Sequence, residues 1–66
     1  MNFTVYSKDG CPYCTQVKRV LDLCNFKYRE YKLDEHFDRF AFYEEFGGGA
    51  TFPQVQLNGK KLGGCT

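Results

Sequence analysis

Hydrophobic and polar residues alternate in three stretches of the chain, and this period of two predicts β-strands. The first stretch is 2–6, the second is 26–33, and the third is the short segment 54–57. An Asn-Gly pair at 58–59 is typical of a two-residue type I′ turn. We therefore expect 60–62 to be the returning strand of a hairpin.

Apolar residues recur with helical spacing between the predicted strands. From Pro12 to about Cys24 they lie at i, i+3, i+4 and i+7, which predicts an amphipathic helix with proline in its first turn. The positions that share this spacing are Val17, Val20, Leu21 and Cys24. We expect Cys24 to be a buried core thiol, because free cysteine packs as a small hydrophobic residue.

A second helix is predicted after Asp34, which is a favourable N-cap residue. Three consecutive glycines at 47–49 should end it. Its expected core residues are Phe37, Phe40, Phe42 and Phe46. The resulting order β-α-β-α-β-β predicts an α/β fold with a mixed four-stranded sheet, in which the first two strands are parallel and the last two form an antiparallel hairpin.

Composition and length narrow the class of protein. The 66 residues contain no internal repeat and no linker, so we expect a single domain over 1–66. Nine Lys and Arg against eight Asp and Glu give a net charge of +1, which argues against nucleic-acid binding through a basic segment. No apolar run is long enough for a membrane span, and the N-terminus lacks the features of a signal peptide, so we expect a cytoplasmic protein.

The most informative motif is Cys11-Pro12-Tyr13-Cys14, which follows a predicted strand and a glycine and begins a predicted helix. At a helix N-terminus, unpaired N–H groups and the positive end of the dipole stabilise a thiolate, and such sites lower a thiol pKa from ~8.5 to ~3.5–7.5. Cys14 lies one turn further along the helix, within reach of a disulfide with Cys11. Lys8 adds a nearby positive charge.

A structural zinc site is the main alternative, since C-x-x-C is common in zinc knuckles. Such a site needs a second pair of ligands. Cys24 falls on the apolar helix face, Cys65 is single, and His36 has no partner residue nearby in the sequence. The placement of C-x-x-C between a strand and a helix therefore favours redox chemistry, and we expect no metal.

Four segments, in this order, resemble a glutaredoxin of the small bacterial or phage dithiol type, within the thioredoxin-like superfamily. They are Tyr6-Ser7-Lys8, Cys11-Pro12-Tyr13-Cys14, Thr51-Phe52-Pro53-Gln54 and Leu62-Gly63-Gly64-Cys65. The resemblance implies the thioredoxin-like fold, attack on substrate sulfur by Cys11 and resolution by Cys14. It also implies that glutathione is the reducing co-substrate and that no cofactor is bound.

The resemblance further implies a glutathione site. Phe52-Pro53 matches the family's cis-proline position, where the residue before proline pairs its backbone with the cysteinyl part of glutathione. The full set of implied glutathione contacts is Lys8, Tyr13, Thr51, Phe52, Pro53, Gly64, Cys65 and Thr66. Within it, Lys8 and Tyr13 flank the glycine end, and residues 64–66 hold the γ-glutamyl carboxylate.

The sequence departs from the family pattern at three places. Phe52 stands where valine is usual, and Gly49 and Ala50 occupy a stretch where many members have arginine. Arg39 on the second helix is a candidate for the missing cation. The family's C-terminal helix does not follow Thr66, so we expect exposed apolar area and a chain that is less stable or self-associates.

The function that the resemblance implies is glutathione-dependent reduction of disulfide-containing and glutathionylated proteins, with ribonucleotide reductase a target by family analogy. It implies a monomer in the full-length family and no nucleic-acid or membrane partner. An alternative is a carrier of a [2Fe–2S] cluster held by Cys11 and glutathione in two chains, against which Pro12 argues. A further alternative is an inactive truncated fragment.

Overall fold

A computed structural model describes residues 2–64 of the chain. The elements are β1 (Phe3–Ser7), α1 (Pro12–Leu23), β2 (Tyr28–Lys32), α2 (Arg39–Phe46), β3 (Gln54–Leu57) and β4 (Lys60–Gly64). The predicted order of elements is confirmed, with small shifts at the ends of β1, β2 and β4. Neither helix in this part of the chain is long and apolar enough to cross a membrane.

The four strands form one mixed sheet in the order β2-β1-β3-β4. β1 runs parallel to β2 and antiparallel to β3, and β3 pairs with β4 as a hairpin. The hairpin turn has positive φ at both central residues, 53° at Asn58 and 84° at Gly59, as a type I′ turn requires. The predicted α/β fold with a mixed sheet is therefore correct.

The two helices lie on opposite faces of the sheet. The Tyr6 ring packs against Phe46 of α2, with centroids 5.0 Å apart. The next residue, Ser7, reaches α1 through Glu30, which also contacts Lys18. Because successive residues of a strand point to opposite faces, α1 and α2 cover different sides. Strand β1 lies between two other strands, with α1 on one face of the sheet and α2 on the other. The loop that follows β1 leads to the C-x-x-C motif.

The second helix begins later than the sequence predicted. Asp34 is not its N-cap: this residue has φ +69° and lies in a turn in which its N–H donates to the Phe37 carbonyl at 2.7 Å. The N-cap is Asp38, whose Oδ1 accepts from the Ala41 N–H at 2.8 Å. Both aspartates are good capping residues, and the turn formed by 34–37 leaves only the second one at the helix start.

Two expected core residues are exposed. Phe40 is 73% exposed, because the inward face of α2 carries Phe42 and Phe46, which are four residues apart and on the other side of the helix. Cys24 is exposed rather than buried. It is the C-cap of α1, on a helix face where Val20 and Leu23 are also exposed, at 57% and 76%, among the described residues.

Candidate active site

Cys11 is the N-cap residue of α1. Its backbone is extended, with φ −112° and ψ 101°, and Pro12 occupies the first turn, where a missing N–H costs no helical hydrogen bond. The Cys14 N–H donates to the Cys11 Sγ at 3.1 Å. The preceding residue, Gly10, has φ +68°, a left-handed conformation that glycine adopts without steric cost and that turns the chain from the β1 loop into the helix.

The two cysteines are joined by a disulfide, with their Cα atoms 5.3 Å apart, and their environments differ. Cys14, in the first turn of α1, is 2% exposed. Cys11 is 9% exposed and lines an open cavity. An incoming sulfur atom can therefore approach Cys11, whereas Cys14 is shielded. A free Cys11 thiolate would keep the N–H donor that now contacts its sulfur, which stabilises negative charge there.

The cavity beside Cys11 has a volume of about 420 Å³. Its walls come from the loop before α1, the first turn of that helix, α2 and the segment before β3: Lys8, Gly10, Cys11, Pro12, Tyr13, Arg39, Tyr43, Ala50, Thr51 and Phe52. Two of these lining residues are cationic, Lys8 and Arg39, and none is acidic. The cavity therefore suits an anionic ligand with an apolar portion against its aromatic walls.

Asp9 is the carboxylate closest to this cavity in sequence, and it is paired elsewhere. Its Oδ1 lies 2.8 Å from the Lys32 Nζ at the end of β2. The hydrogen bond from Lys32, together with the charge of that ammonium, lowers the pKa of Asp9 from its ordinary value. Lys32 thus offsets the negative charge of Asp9, and the positive charges of Lys8 and Arg39 dominate the cavity.

A buried polar contact links β1 to α1 behind the cysteines. The Ser7 hydroxyl, which is 1% exposed, donates to the Glu30 Oε2 at 2.6 Å, and the Lys18 Nζ contacts the same oxygen at 2.8 Å. Burial raises the pKa of Glu30, but the hydrogen bonds from Lys18 and Ser7 outweigh it and lower the pKa overall. The carboxylate therefore bridges the two elements that hold the Cys11 loop.

The structure brings most of the sequence-predicted site residues together. Five of them line the cavity: Lys8, Cys11, Tyr13, Thr51 and Phe52. The Phe52–Pro53 bond is cis, as the resemblance implied, and Pro53 is buried next to the cavity wall. Gly64 pairs with Gln54 in the sheet. Cys65 and Thr66 lie outside the described residues, so their assigned role stays a prediction.

Sequence reasoning missed part of the cavity wall. The sequence offers Arg39 only as a replacement cation and gives no separate signal for Tyr43, yet both line the cavity. They are four residues apart and share one face of α2. That i, i+4 spacing is the sequence signal that points to Tyr43 once Arg39 is taken as a cation of the site.

No cluster of three or more His, Cys, Asp or Glu side chains that could hold a metal ion occurs within 2–64. Cys11 and Cys14 have each other as partners, and Cys24 lies free at the other end of α1. His36 is exposed, and its Nδ1 accepts a hydrogen bond from the Lys32 N–H at 3.0 Å. A second pair of zinc ligands is therefore not assembled by the described residues.

A mixed sheet, a C-x-x-C disulfide at a helix N-terminus and a cis-proline segment beside the same cavity define a thioredoxin-like protein. Comparison with known proteins narrows this class. The family model described as Glutaredoxin matches residues 3–62. A glutaredoxin from Ricinus communis is 42% identical over 64 residues, and the match covers 92% of this chain and 63% of the relative. The chain belongs to the glutaredoxin family.

Further relatives and solved structures are similar. Glutaredoxin 1 from Rickettsia typhi is 33% identical over 63 residues, covering 92% of this chain and 61% of the relative. The crystal structure of a buckwheat glutaredoxin–glutathione complex has a TM-score of 0.80 and 35% identity, covering 96% of this chain and 60% of the other. The crystal structure of glutaredoxin 1 from Francisella tularensis, in complex with cacodylate, has a TM-score of 0.76 and 28% identity, covering 96% of this chain and 81% of the other. The chain spans about three fifths of the length of the first curated relatives that it matches.

Proposed function

We propose that this chain is a glutathione-dependent thiol–disulfide oxidoreductase. The observation that carries the proposal is the asymmetry of the cysteine pair: Cys11 caps a helix and lines a cationic cavity, whereas Cys14 is shielded behind it. Membership of the glutaredoxin family and the similarity to a glutaredoxin that binds glutathione support it.

The reducing half of the cycle begins from the Cys11–Cys14 disulfide. The thiolate of one glutathione attacks the Cys11 Sγ, the disulfide breaks, and Cys14 leaves with the electron pair and takes up a proton. A second glutathione thiolate attacks the glutathione sulfur of the mixed disulfide. Glutathione disulfide leaves, and Cys11 is released as a thiolate. Two glutathiones have then supplied the two electrons that reduce the protein.

The oxidising half of the cycle passes these electrons to a target. The Cys11 thiolate attacks one sulfur of a protein disulfide, and the other target sulfur leaves as a thiolate and is protonated. Cys14 then loses its proton and attacks the Cys11 Sγ, which releases the second target thiol and restores the disulfide. With a glutathionylated protein, Cys11 attacks the glutathione sulfur and the protein thiol leaves. A further glutathione thiolate then attacks the glutathione sulfur bound to Cys11. Glutathione disulfide leaves and Cys11 is released as a thiolate, so this route does not need Cys14.

The cavity provides groups suited to glutathione. The tripeptide carries two carboxylates, and Lys8 and Arg39 are the cations of the cavity wall. Tyr13, 54% exposed, provides an aromatic surface beside Cys11. Phe52, just before the cis-proline, offers its backbone for pairing with the cysteinyl part of the ligand. Protein disulfides and glutathionylated proteins as targets, and a cytoplasmic site of action, belong to the same proposal.

Serine variants of the two cysteines test this proposal. Turnover is measured as glutathione-dependent reduction of a glutathionylated peptide, coupled to glutathione reductase and NADPH. We expect Cys11→Ser to lose turnover, because the serine hydroxyl cannot form the mixed disulfide. Cys14→Ser should retain it, because this reaction needs one attacking sulfur. Cys24→Ser is the matched control, since Cys24 is exposed and lies outside the cavity.

Three results would contradict this assignment of function. If Cys14→Ser were as inactive as Cys11→Ser, the assignment of nucleophile and resolving cysteine would be wrong. If the wild-type disulfide were reduced by thioredoxin reductase but not by glutathione, the electron donor would be misassigned. An absorption spectrum of anaerobically purified protein with iron–sulfur bands would favour the cluster-carrier function instead.

A further inference from the structure

The half-buried Phe52 ring lies close to an aromatic ring and to a lysine ammonium. Phe42 stacks on one face, with centroids 4.1 Å apart and the planes inclined by 11°. The Lys8 Nζ lies over the ring at 5.4 Å from its centroid. The Phe37 ring is also nearly parallel to Phe52, with centroids 6.3 Å apart and planes inclined by 17°. Because Phe42 occupies one face at stacking distance, the opposite face is the one open to the Lys8 ammonium.

The residues that hold Phe52 and Lys8 in place are themselves fixed by packing and hydrogen bonding. Phe42 is 2% exposed and is held in the core of α2, where it also contacts Phe37 and Phe46 at 5.8 and 5.0 Å between centroids. A ring stacked on such a neighbour has little freedom to rotate away. The backbone of Lys8 is also anchored, because the preceding residue, Ser7, is buried and bonded to Glu30. Only the flexible stem of Lys8 remains to be ordered.

We propose that Phe52 is a positioning residue for Lys8: its ring holds the lysine ammonium at the wall of the Cys11 cavity, and this raises affinity for anionic thiol substrates. The inference rests on the proposed function, because it assigns glutathione as the anion that benefits. A lysine side chain free in solvent loses rotamer entropy when a ligand orders it. Holding it over an aromatic face before binding removes part of that cost.

The same geometry excludes a different role for Phe52. A substrate aromatic ring could stack on Phe52 only by displacing the Lys8 ammonium, since Phe42 occupies the opposite face. The aromatic residue therefore acts through the lysine and not as a stacking platform. An aliphatic residue at this position would fill space beside Cys11 but would offer no negative π face to a cation.

Steady-state kinetics with an anionic and a neutral thiol test the proposal. For Phe52→Leu we expect the KM for glutathione to rise about two- to five-fold, the ratio that a cation–π contact at an exposed site provides, with kcat nearly unchanged. The KM for 2-mercaptoethanol, a neutral thiol, should not change. Phe52→Tyr keeps the π face and should restore the wild-type KM. Phe40→Leu is the control, because Phe40 is exposed and does not line the cavity.

A spectroscopic measurement tests the contact independently of turnover. Ring currents from Phe52 should shift the Lys8 Cε protons upfield in the wild type and in Phe52→Tyr, and this shift should vanish in Phe52→Leu. Unshifted Lys8 protons in the wild type would overturn the inference. Equal KM increases for glutathione and 2-mercaptoethanol in Phe52→Leu would do the same. A wild type with the ring-current shift but no glutathione-dependent turnover would refute the proposed function and its anion preference, while leaving the contact in place.

Discussion

Replacing Glu30 by alanine tests the polar contact that holds the cysteine loop between β1 and α1. The carboxylate accepts from the Ser7 hydroxyl at 2.6 Å and from the Lys18 ammonium at 2.8 Å. Its removal leaves a hydroxyl that is 1% exposed without its partner in a well-packed region. The variant therefore shows whether the contacts of Glu30 stabilise the fold or are a surface ion pair without effect on stability.

The expected cost follows from the burial of the two partners. A buried hydroxyl that loses its hydrogen bond costs ~1–3 kcal/mol. Lys18 and Glu30 keep 29% and 25% of their side-chain exposure, so their ion pair contributes at the low level of a partly exposed pair, up to ~1 kcal/mol. We expect Glu30→Ala to lose about 2–3 kcal/mol of unfolding free energy. A domain of this size has a total of only about 3–10 kcal/mol.

Urea denaturation at pH 7 measures this loss. With a slope of ~1 kcal/mol per M, the unfolding midpoint should fall by about 2–3 M. Glu30→Gln is the matched control, because its amide oxygen can still accept from Ser7 and only the charge is lost, so we expect an intermediate value. A double-mutant cycle with Ser7→Ala should give a coupling energy of ~1–2 kcal/mol.

The contribution of Glu30 to the unfolding free energy depends on pH in a defined direction. The pKa of folded Glu30 is lowered from the ordinary value of 4.5, so the ionised carboxylate stabilises the fold above that pH. This contribution is lost as the pH falls through the lower, folded pKa. The gap between wild type and Glu30→Ala should therefore be full at pH 7 and shrink below about pH 4. Identical midpoints at pH 7, or a gap that is the same in strong acid, would refute the assignment.

Four further predictions address other parts of the molecule. Asp38→Ala should cost about 0.5–2 kcal/mol in unfolding free energy by removing the α2 N-cap, whereas Asp34→Ala removes no cap, and equal losses in thermal melts would contradict the assignment. Phe42→Ala should cost about 3–5 kcal/mol in unfolding free energy, a large share of the total for a domain of this size, and should lower the thermal midpoint followed by circular dichroism. Asp9 should titrate below its ordinary pKa in the wild type, and its pKa should rise in Lys32→Met, as followed by NMR. The Cys11–Cys14 couple should equilibrate with glutathione buffers near −200 to −230 mV, roughly the glutaredoxin range, and a value at or below about −270 mV would favour feeding by thioredoxin reductase.

The exposed apolar face of α1 bears on the behaviour of the 66-residue chain in solution. Val20 and Leu23 are 57% and 76% exposed, and Val17 and Leu21 line a shallow cavity beside Val20. From the sequence we expect lower stability or self-association where the sheet face beside α1 lacks further cover, and the exposed residues of α1 add to the apolar area. Sedimentation of this polypeptide and of Val20→Lys tests for self-association. A charge at Val20 should suppress any association caused by the exposed apolar face of α1.

Much of the fold follows from local signals. Alternating residues mark β1 and β3, the Asn-Gly pair sets the hairpin turn, and the proline after Cys11 marks the start of α1. The C-x-x-C spacing places both sulfurs on one turn of a helix whatever the rest of the chain does. These features depend on residues within about one turn of one another, which is why a single sequence was sufficient to predict them.

The sequence by itself therefore determined the order of elements, the mixed sheet and the pairing of Cys11 with Cys14 at the start of α1. The tertiary structure decided which aspartate caps α2, and it placed Arg39 and Tyr43 of that helix in the cavity wall. It also decided that Phe52 lies between Phe42 and Lys8, and that Glu30 joins β1 to α1. These contacts join residues far apart in the chain, and their energies depend on burial and distance in the folded state, which no local pattern encodes.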